Sequence, residues 1–218
     1  MDHIWLLPLE FDMTGTVFAV ALNHKSQLEF WNDAFHQDPY KTPPKTPVWF
    51  IKPRNTIVGN GDNIVHPGDA DVLSGGTLGM VIGRRATRVS AAEARGYIKG
   101  FCAANEVSHP ETTFYRPAIR AKCRDTFCPL GAPGPLSAVD QTEVVTLING
   151  RQVNSWSTRD LVRNAAQILE ALTEFATLEE GDVILMGTPQ ERVAINVGDE
   201  VEIRVQGLPE LRNKVVAS

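Results

Sequence analysis

The clearest helical periodicity in the chain is confined to one stretch, from about residue 158 to 176. There Leu161, Ala165, Ile168, Leu169, Leu172 and Phe175 form an apolar stripe, with Ser157 or Thr158 placed to cap it. Elsewhere the apolar runs are short and end on glycine, proline, asparagine or aspartate, which is the pattern of strands. Residues 15–22 (GTVFAVAL), 48–51, 101–107, 142–148 and 183–186 read as strands, and Glu200–Val205 as a strand with alternating exposure. Asn149-Gly150 after residues 142–148 is the strongest hairpin signal, because both turn positions want positive φ. Two shorter helices are expected. One spans residues 26–35, with Leu28, Trp31 and Phe35 on one face. The other starts at the capping-box pattern Ser90-Ala91-Ala92-Glu93 and is limited by Gly96 and Gly100. Strands and helices do not alternate regularly, which argues against a doubly wound nucleotide-binding fold. The expected class is α+β, strand-rich with few helices.

The chain has 218 residues with 43% hydrophobic content, enough for one sizeable core without disulfides. Its net charge of -5 argues against a general nucleic-acid partner. Cys102, Cys123 and Cys128 contain no CxxC pair and read as reduced cytoplasmic thiols in packing roles. The opening MDHIWLLPLEFD has no positive flank, and its apolar run is too short for a signal peptide or membrane span, so no membrane partner is expected. Residues 1–12 are read as an N-terminal extension and residues 13–218 as the domain.

Two segments invite functional readings. The glycine-rich VLSGGTLGMVIG, residues 72–83, looks at first like a phosphate loop. A dinucleotide loop needs its glycines after a strand and before a helix, whereas these precede a strand, and no GxxxxGK[ST] occurs. The segment is therefore read as a turn or bulge entering a buried strand. In the second segment, Arg120, Lys122 and Arg124 recur with period two and share one face if the chain is extended. Such a ladder needs anions. These are either protein carboxylates or a carboxylate-rich ligand gripped by arginine forks.

The motif order resembles the fumarylacetoacetate hydrolase superfamily. AVALN at 19–23, WFIKP at 49–53, LGMVIGR at 78–84, KCRDTFCPLG at 122–131 and LEEGDVILMGTP at 178–189 carry the likeness, and VGDEVEIRVQGLPELRNKV at 197–215 extends it. The resemblance implies the family's C-terminal-domain fold, a mixed β-sandwich roll. It also implies a decarboxylase and isomerase activity on 5-carboxymethyl-2-oxohex-3-ene-1,7-dioate and 2-hydroxyhepta-2,4-diene-1,7-dioate, in the breakdown of 4-hydroxyphenylacetate. Family members hold Mg2+ or Mn2+ with a Glu-x-Glu pair and a later Asp, and the metal is the electron sink for decarboxylation.

At the matching positions this chain has Gly75, Thr77 and Glu106, so the register persists while two of three carboxylates are gone. A His-x-x-Glu pair that serves as acid and base in many members aligns with Gln27 and Phe30. After the GTP motif the usual glycine is replaced, within Gln190-Glu191-Arg192. No metal is therefore expected in this chain. What persists is part of an anion pocket, with Lys122 and Asp125 as catalytic candidates and Lys52, Arg116, Arg124 and Thr188 as substrate-binding candidates. His24 is weighed as a replacement base, and Glu106 is expected to pair with a basic neighbour. The resemblance implies an oligomer with a homologous metal-bearing subunit, or with itself, and a small di- or tricarboxylate substrate. Two alternatives stand beside it: an independently active, metal-independent member and a non-enzymatic dicarboxylate-binding module.

Overall fold

The computed structural model describes residues 15–218; the expected extension at 1–12 lies outside the described residues. Two five-stranded sheets dominate. The first runs in the order β2 (Val48–Lys52), β1 (Val17–Ala21), β11 (Val183–Leu185), β6 (Gly76–Ile82) and β7 (Ile98–Asn105). The second runs β10 (Arg151–Ser157), β9 (Glu143–Ile148), β13 (Glu200–Val205), β14 (Leu211–Ala217) and β4 (Asn63–His66). Two short pairs, β12 (Val193–Ile195) with β5 (Val72–Ser74) and β3 (Ile57–Val58) with β8 (Cys128–Pro129), complete the strand set among the described residues. Both large sheets are mixed: β1 runs parallel to β11, and β14 parallel to β4. The helices are α1 (Lys25–Phe35), α2 (Ile119–Lys122) and α3 (Ala165–Thr173). None of them is long and apolar enough to cross a membrane.

The main core lies between the two sheets. Alternation along β6 sends Leu78, Met80 and Ile82 into it, where they meet Val144, Val201 and Ile203 of the second sheet and Ile168, Leu169 and Leu172 of α3. Val81 points the other way, into a second cluster with Val17, Ala19, Cys102 and Cys128. With both faces covered, β6 is buried at every position, which explains its unbroken apolar run. Burial pushes the thiols of Cys102 and Cys128 up to about 12, so both are inert packing groups. The hairpin forms where expected: Asn149 and Gly150 have φ of 53° and 77° between β9 and β10. Helix α1 also appears, and Leu28, Trp31 and Phe35 pack in one cluster.

Four expectations are corrected. The helix expected over 158–176 is only Ala165–Thr173, preceded by a separate 3-10 turn at Thr158–Asp160. Asn164 and Gln167 form a reciprocal capping box that restarts the chain as a helix, while Thr158 Oγ1 is held by the Val139 carbonyl. Ser90 and Glu93 do bond side chain to side chain at 2.6 Å, yet the chain continues into a 3-10 turn, Ala94–Tyr97, and then β7. Glu200–Val205 does not alternate. Glu202 is buried, and its carboxylate is held by Arg204 and Arg212. The basic ladder is not extended: Ile119–Lys122 forms a helical turn, so Arg120, Lys122 and Arg124 diverge.

Candidate functional site

The site forms where β2, β6, β7, α2 and the loop after β11 meet. At the end of β2, pleating turns Ile51 outward and Lys52 inward. Lys52 Nζ donates to the carbonyls of Val107 (2.6 Å), Lys122 (2.8 Å) and Phe127 (3.0 Å), and pairs with Glu106 Oε1 at 2.9 Å. The chain thus binds a fully buried ammonium at four points. Burial lowers the Lys52 pKa, an effect opposed by Glu106 and reinforced by Lys122.

Strand β7 ends beside the start of β6, with Gly76 opposite Asn105, and the Glu106 amide donates to the Gly75 carbonyl at 2.9 Å. Glu106 is the centre of the charge cluster. Lys122 Nζ lies 3.2 Å from both of its carboxylate oxygens, and Arg192 Nη1 is 3.6 Å from Oε2. Burial alone would raise the Glu106 pKa, but Lys122, Lys52 and Arg192 outweigh it and hold the carboxyl down at about 2.

A second carboxylate completes the cluster. Glu111 Oε1 is 2.5 Å from Lys122 Nζ, and both of its oxygens engage the guanidinium of Arg192 as a fork. Arg192 Nη1 also donates to Ser108 Oγ. The Lys122 ammonium sits over the Phe50 ring, 4.5 Å from its centre. The side chains of Lys52, Glu106, Glu111, Lys122 and Arg192 are each no more than 5% exposed.

The glycines explain how Arg192 fits. A Cβ at position 75 would stand 2.9 Å from the Glu106 carbonyl oxygen, 2.9 Å from Thr188 Cγ2 and 3.1 Å from Arg192 Cδ. At Gly76 a Cβ would meet Thr146 Oγ1 at 2.5 Å, so the mouth of β6 packs directly on β9. Thr77 is buried and gives its hydroxyl proton to the Gly187 carbonyl at 2.6 Å. Gln27 occupies the aligned histidine position, buried, with Oε1 accepting from the Leu22 amide. Phe30 is exposed.

A divalent metal does not fit this donor set. Gly75 and Thr77 bring no carboxylate, Glu106 is committed to three cations, and the arginine stem fills the space that a longer residue 75 would need. Among the described residues no three His, Cys, Asp or Glu side chains converge as a metal-ligating group.

The structure therefore brings together Lys52, Gly75, Thr77, Glu106, Lys122 and Thr188 from the residues singled out in the sequence. Arg116 stands apart, exposed on the rim of an apolar cavity of about 530 Å³ that Phe50, Phe114, Tyr115 and Phe175 help to line and that reaches Lys122. Arg124 and Arg120 turn to Asp69, at 2.5 and 3.7 Å, and Asp125 is exposed with Oδ1 accepting from Asn55 Nδ2 at 2.7 Å. His24 caps α1 by accepting from the Ser26 amide, and its ring meets Trp156 edge-on. Burial lowers its pKa. Two members of the cluster, Glu111 and Arg192, were not among the candidates. Arg192 had shown only as a residue beside a replaced glycine, and Glu111, between Pro110 and Pro117, carries no sequence signal.

This geometry accompanies a clear kinship. Residues 16–216 match the family model described as fumarylacetoacetate (FAA) hydrolase C-terminal. The 4-hydroxyphenylacetate degradation bifunctional isomerase/decarboxylase of Salmonella dublin is 58% identical over 205 residues, which are 94% of this chain and 48% of that protein. The chain thus spans about half the length of the curated relatives it matches first. Among solved structures, 5-carboxymethyl-2-hydroxymuconate delta-isomerase from Mycobacterium smegmatis superposes with a TM-score of 0.81 at 34% identity, covering 94% of this chain and 80% of that one. A fumarylpyruvate hydrolase from Pseudomonas aeruginosa, solved in complex with Mn2+ and pyruvate, shares the fold with a TM-score of 0.79 at 20% identity, over 93% of this chain and 90% of its own. The chain belongs to the fumarylacetoacetate hydrolase C-terminal family.

Proposed function

We propose that the chain is a subunit of a decarboxylase/isomerase of 4-hydroxyphenylacetate catabolism. Its substrates would be 5-carboxymethyl-2-oxohex-3-ene-1,7-dioate and 2-hydroxyhepta-2,4-diene-1,7-dioate. A homologous subunit supplies the Mg2+ or Mn2+, and this chain supplies scaffold and anion-facing cations. One observation carries the reading: the family match over residues 16–216 goes with Gly75 and Thr77 at the positions where the family resemblance expects carboxylates, and with Arg192 packed against both Gly75 and Glu106. The likeness to isomerase/decarboxylase relatives of about twice the length supports it.

In this reading Lys122, at the inner end of the 530 Å³ cavity, faces a substrate carboxylate, and Arg116 meets one at the rim. Thr188 lines, with Lys122, a small interior recess and would offer a hydroxyl there. Lys52 acts through Glu106, fixing its carboxylate against Lys122. Asp125 and Arg124 lie on the flank of α2 and serve the site by holding that turn in place.

A metal held by the homologous subunit would act as a Lewis acid, polarising the substrate's 2-oxo group, which takes up the electron pair left when CO2 departs. The residues of this chain bind and orient the substrate's anionic ends and exclude water. The test is an assay of the purified chain alone, and mixed with a metal-bearing homologue, in the presence of Mg2+. CO2 release is expected only above the homologue's own rate in the mixture, and none from the chain alone. Robust decarboxylation by the chain alone overturns the reading.

A further inference from the structure

Glu111 sets a carboxylate between two cations, Lys122 and Arg192. It projects from an irregular segment, residues 110–118, between Lys122 and the fork of Arg192. Its side chain is 5% exposed, while Tyr115, Arg116 and Pro117 of the same segment face solvent. The segment is anchored separately at Tyr40, whose hydroxyl bonds Thr113 Oγ1 at 2.8 Å and accepts from the Phe114 amide at 2.6 Å. Glu111 is therefore a side-chain plug on a segment that has its own attachment elsewhere.

The cluster is short of negative charge. Among the described residues, Lys52, Lys122 and Arg192 face Glu106 and Glu111, three cations against two carboxylates. Arg192 Nε is buried with no hydrogen-bond acceptor among the described residues, a donor that the plug does not satisfy. Lys122 also lines the 530 Å³ cavity, so a ligand in that cavity reaches this member of the pair directly.

We infer that Lys122 and Arg192 form a carboxylate-binding site that the chain closes on itself with Glu111. A small free carboxylate, a 2-oxo acid or dicarboxylate, takes Glu111's place when that side chain swings out of the cluster, the backbone staying anchored at Tyr40. The inference rests on the reading of Lys122 as a carboxylate-facing group, but it concerns binding by this chain rather than turnover.

The exchange is testable with malonate as the probe, against chloride at equal ionic strength. In Glu111→Ala the plug is gone. The apparent Kd for malonate, by calorimetry, should fall about tenfold or more below that of the unaltered chain, because a closed site taxes its ligand by the fraction that is open. The melting temperature of the variant should rise with malonate in a saturable way. The double variant Glu111→Ala/Arg192→Gln should lose that response. Glu111→Gln, which keeps the shape of the plug and removes its charge, provides the same comparison if the alanine variant folds poorly, with the same expected order of affinities. Equal malonate affinity in the unaltered chain and both Glu111 variants overturns the inference, as does a malonate response that survives loss of Arg192. Neither result depends on whether the mixture with a metal-bearing homologue decarboxylates, so the two proposals fail separately.

Discussion

Glu106→Ala is expected to destabilise the chain by about 3–5 kcal/mol, the usual cost of removing one partner from a buried ion cluster. The loss leaves Lys52, Lys122 and Arg192 with Glu111 as their one carboxylate among the described residues, in a place where water cannot compensate them. Urea unfolding at neutral pH reads the effect as a lower midpoint with an unchanged slope. The same carboxylate gives the chain an acid limit. Its folded-state pKa, about 2, lies below the ordinary value of 4.5, so the unfolded chain takes up the proton first. The stabilisation is complete above pH 4.5 and is lost as the pH falls through the folded value. By linkage it amounts to about 3 kcal/mol. In Glu106→Gln the stability profile should flatten between pH 4.5 and 2. A variant that keeps the full acid slope would place its origin elsewhere.

Lys52→Met is expected to cost a similar amount, about 3–5 kcal/mol, for a different reason. Methionine matches the stem in volume and escapes the burial cost of the charge. It donates to nothing, however, so the carbonyls of Val107, Lys122 and Phe127 lose the donor they share. Glu106 also loses one of the three cations that hold its pKa down. The acid limit of this variant should therefore move to higher pH, because the carboxyl returns toward its ordinary value. In the double variant with Glu106→Gln the two costs should fall short of additivity by about 1–3 kcal/mol, since each single change strands the other partner. Additive costs would mean that the two groups do not act as a pair.

Much of the fold was legible because its strands are short apolar runs punctuated by turn residues. The unbroken LGMVIG foretold a buried strand, and Asn149-Gly150 foretold the hairpin because little else fits two successive positive φ values. The failures have a common cause. The stripe over 158–176 has helical spacing throughout, but long-range bonds from Thr158 to Val139 and Thr142 draw its first turn toward the sheets. Asn164 and Gln167 then begin the helix anew. In the basic segment, period two would put the cations on one face of an extended chain. The amides of Lys122 and Cys123 instead close a helical turn on Ala118 and Ile119, which sends Lys122 inward and Arg120 to solvent.

The site was half legible. Family register located Gly75, Thr77 and Glu106 as neighbours, and the ladder between β6 and β7 places Gly75 beside Glu106. That register describes which carboxylates are missing and not what fills their room. The replacement comes from Arg192, which reaches Glu111 from 81 residues away in the chain. Pairing over such a distance depends on two loops whose irregular backbone leaves no periodicity to read.

The most direct test of a cation cluster in place of a metal site is a Mn2+ titration of the isolated chain, with bound metal measured after dialysis and the melting temperature followed in parallel. The expected result is no saturable Mn2+ binding and no shift in melting, because Arg192 already supplies the positive charge beside Glu106. Stoichiometric Mn2+ in the dialysed chain, lost in Glu106→Gln, would contradict it.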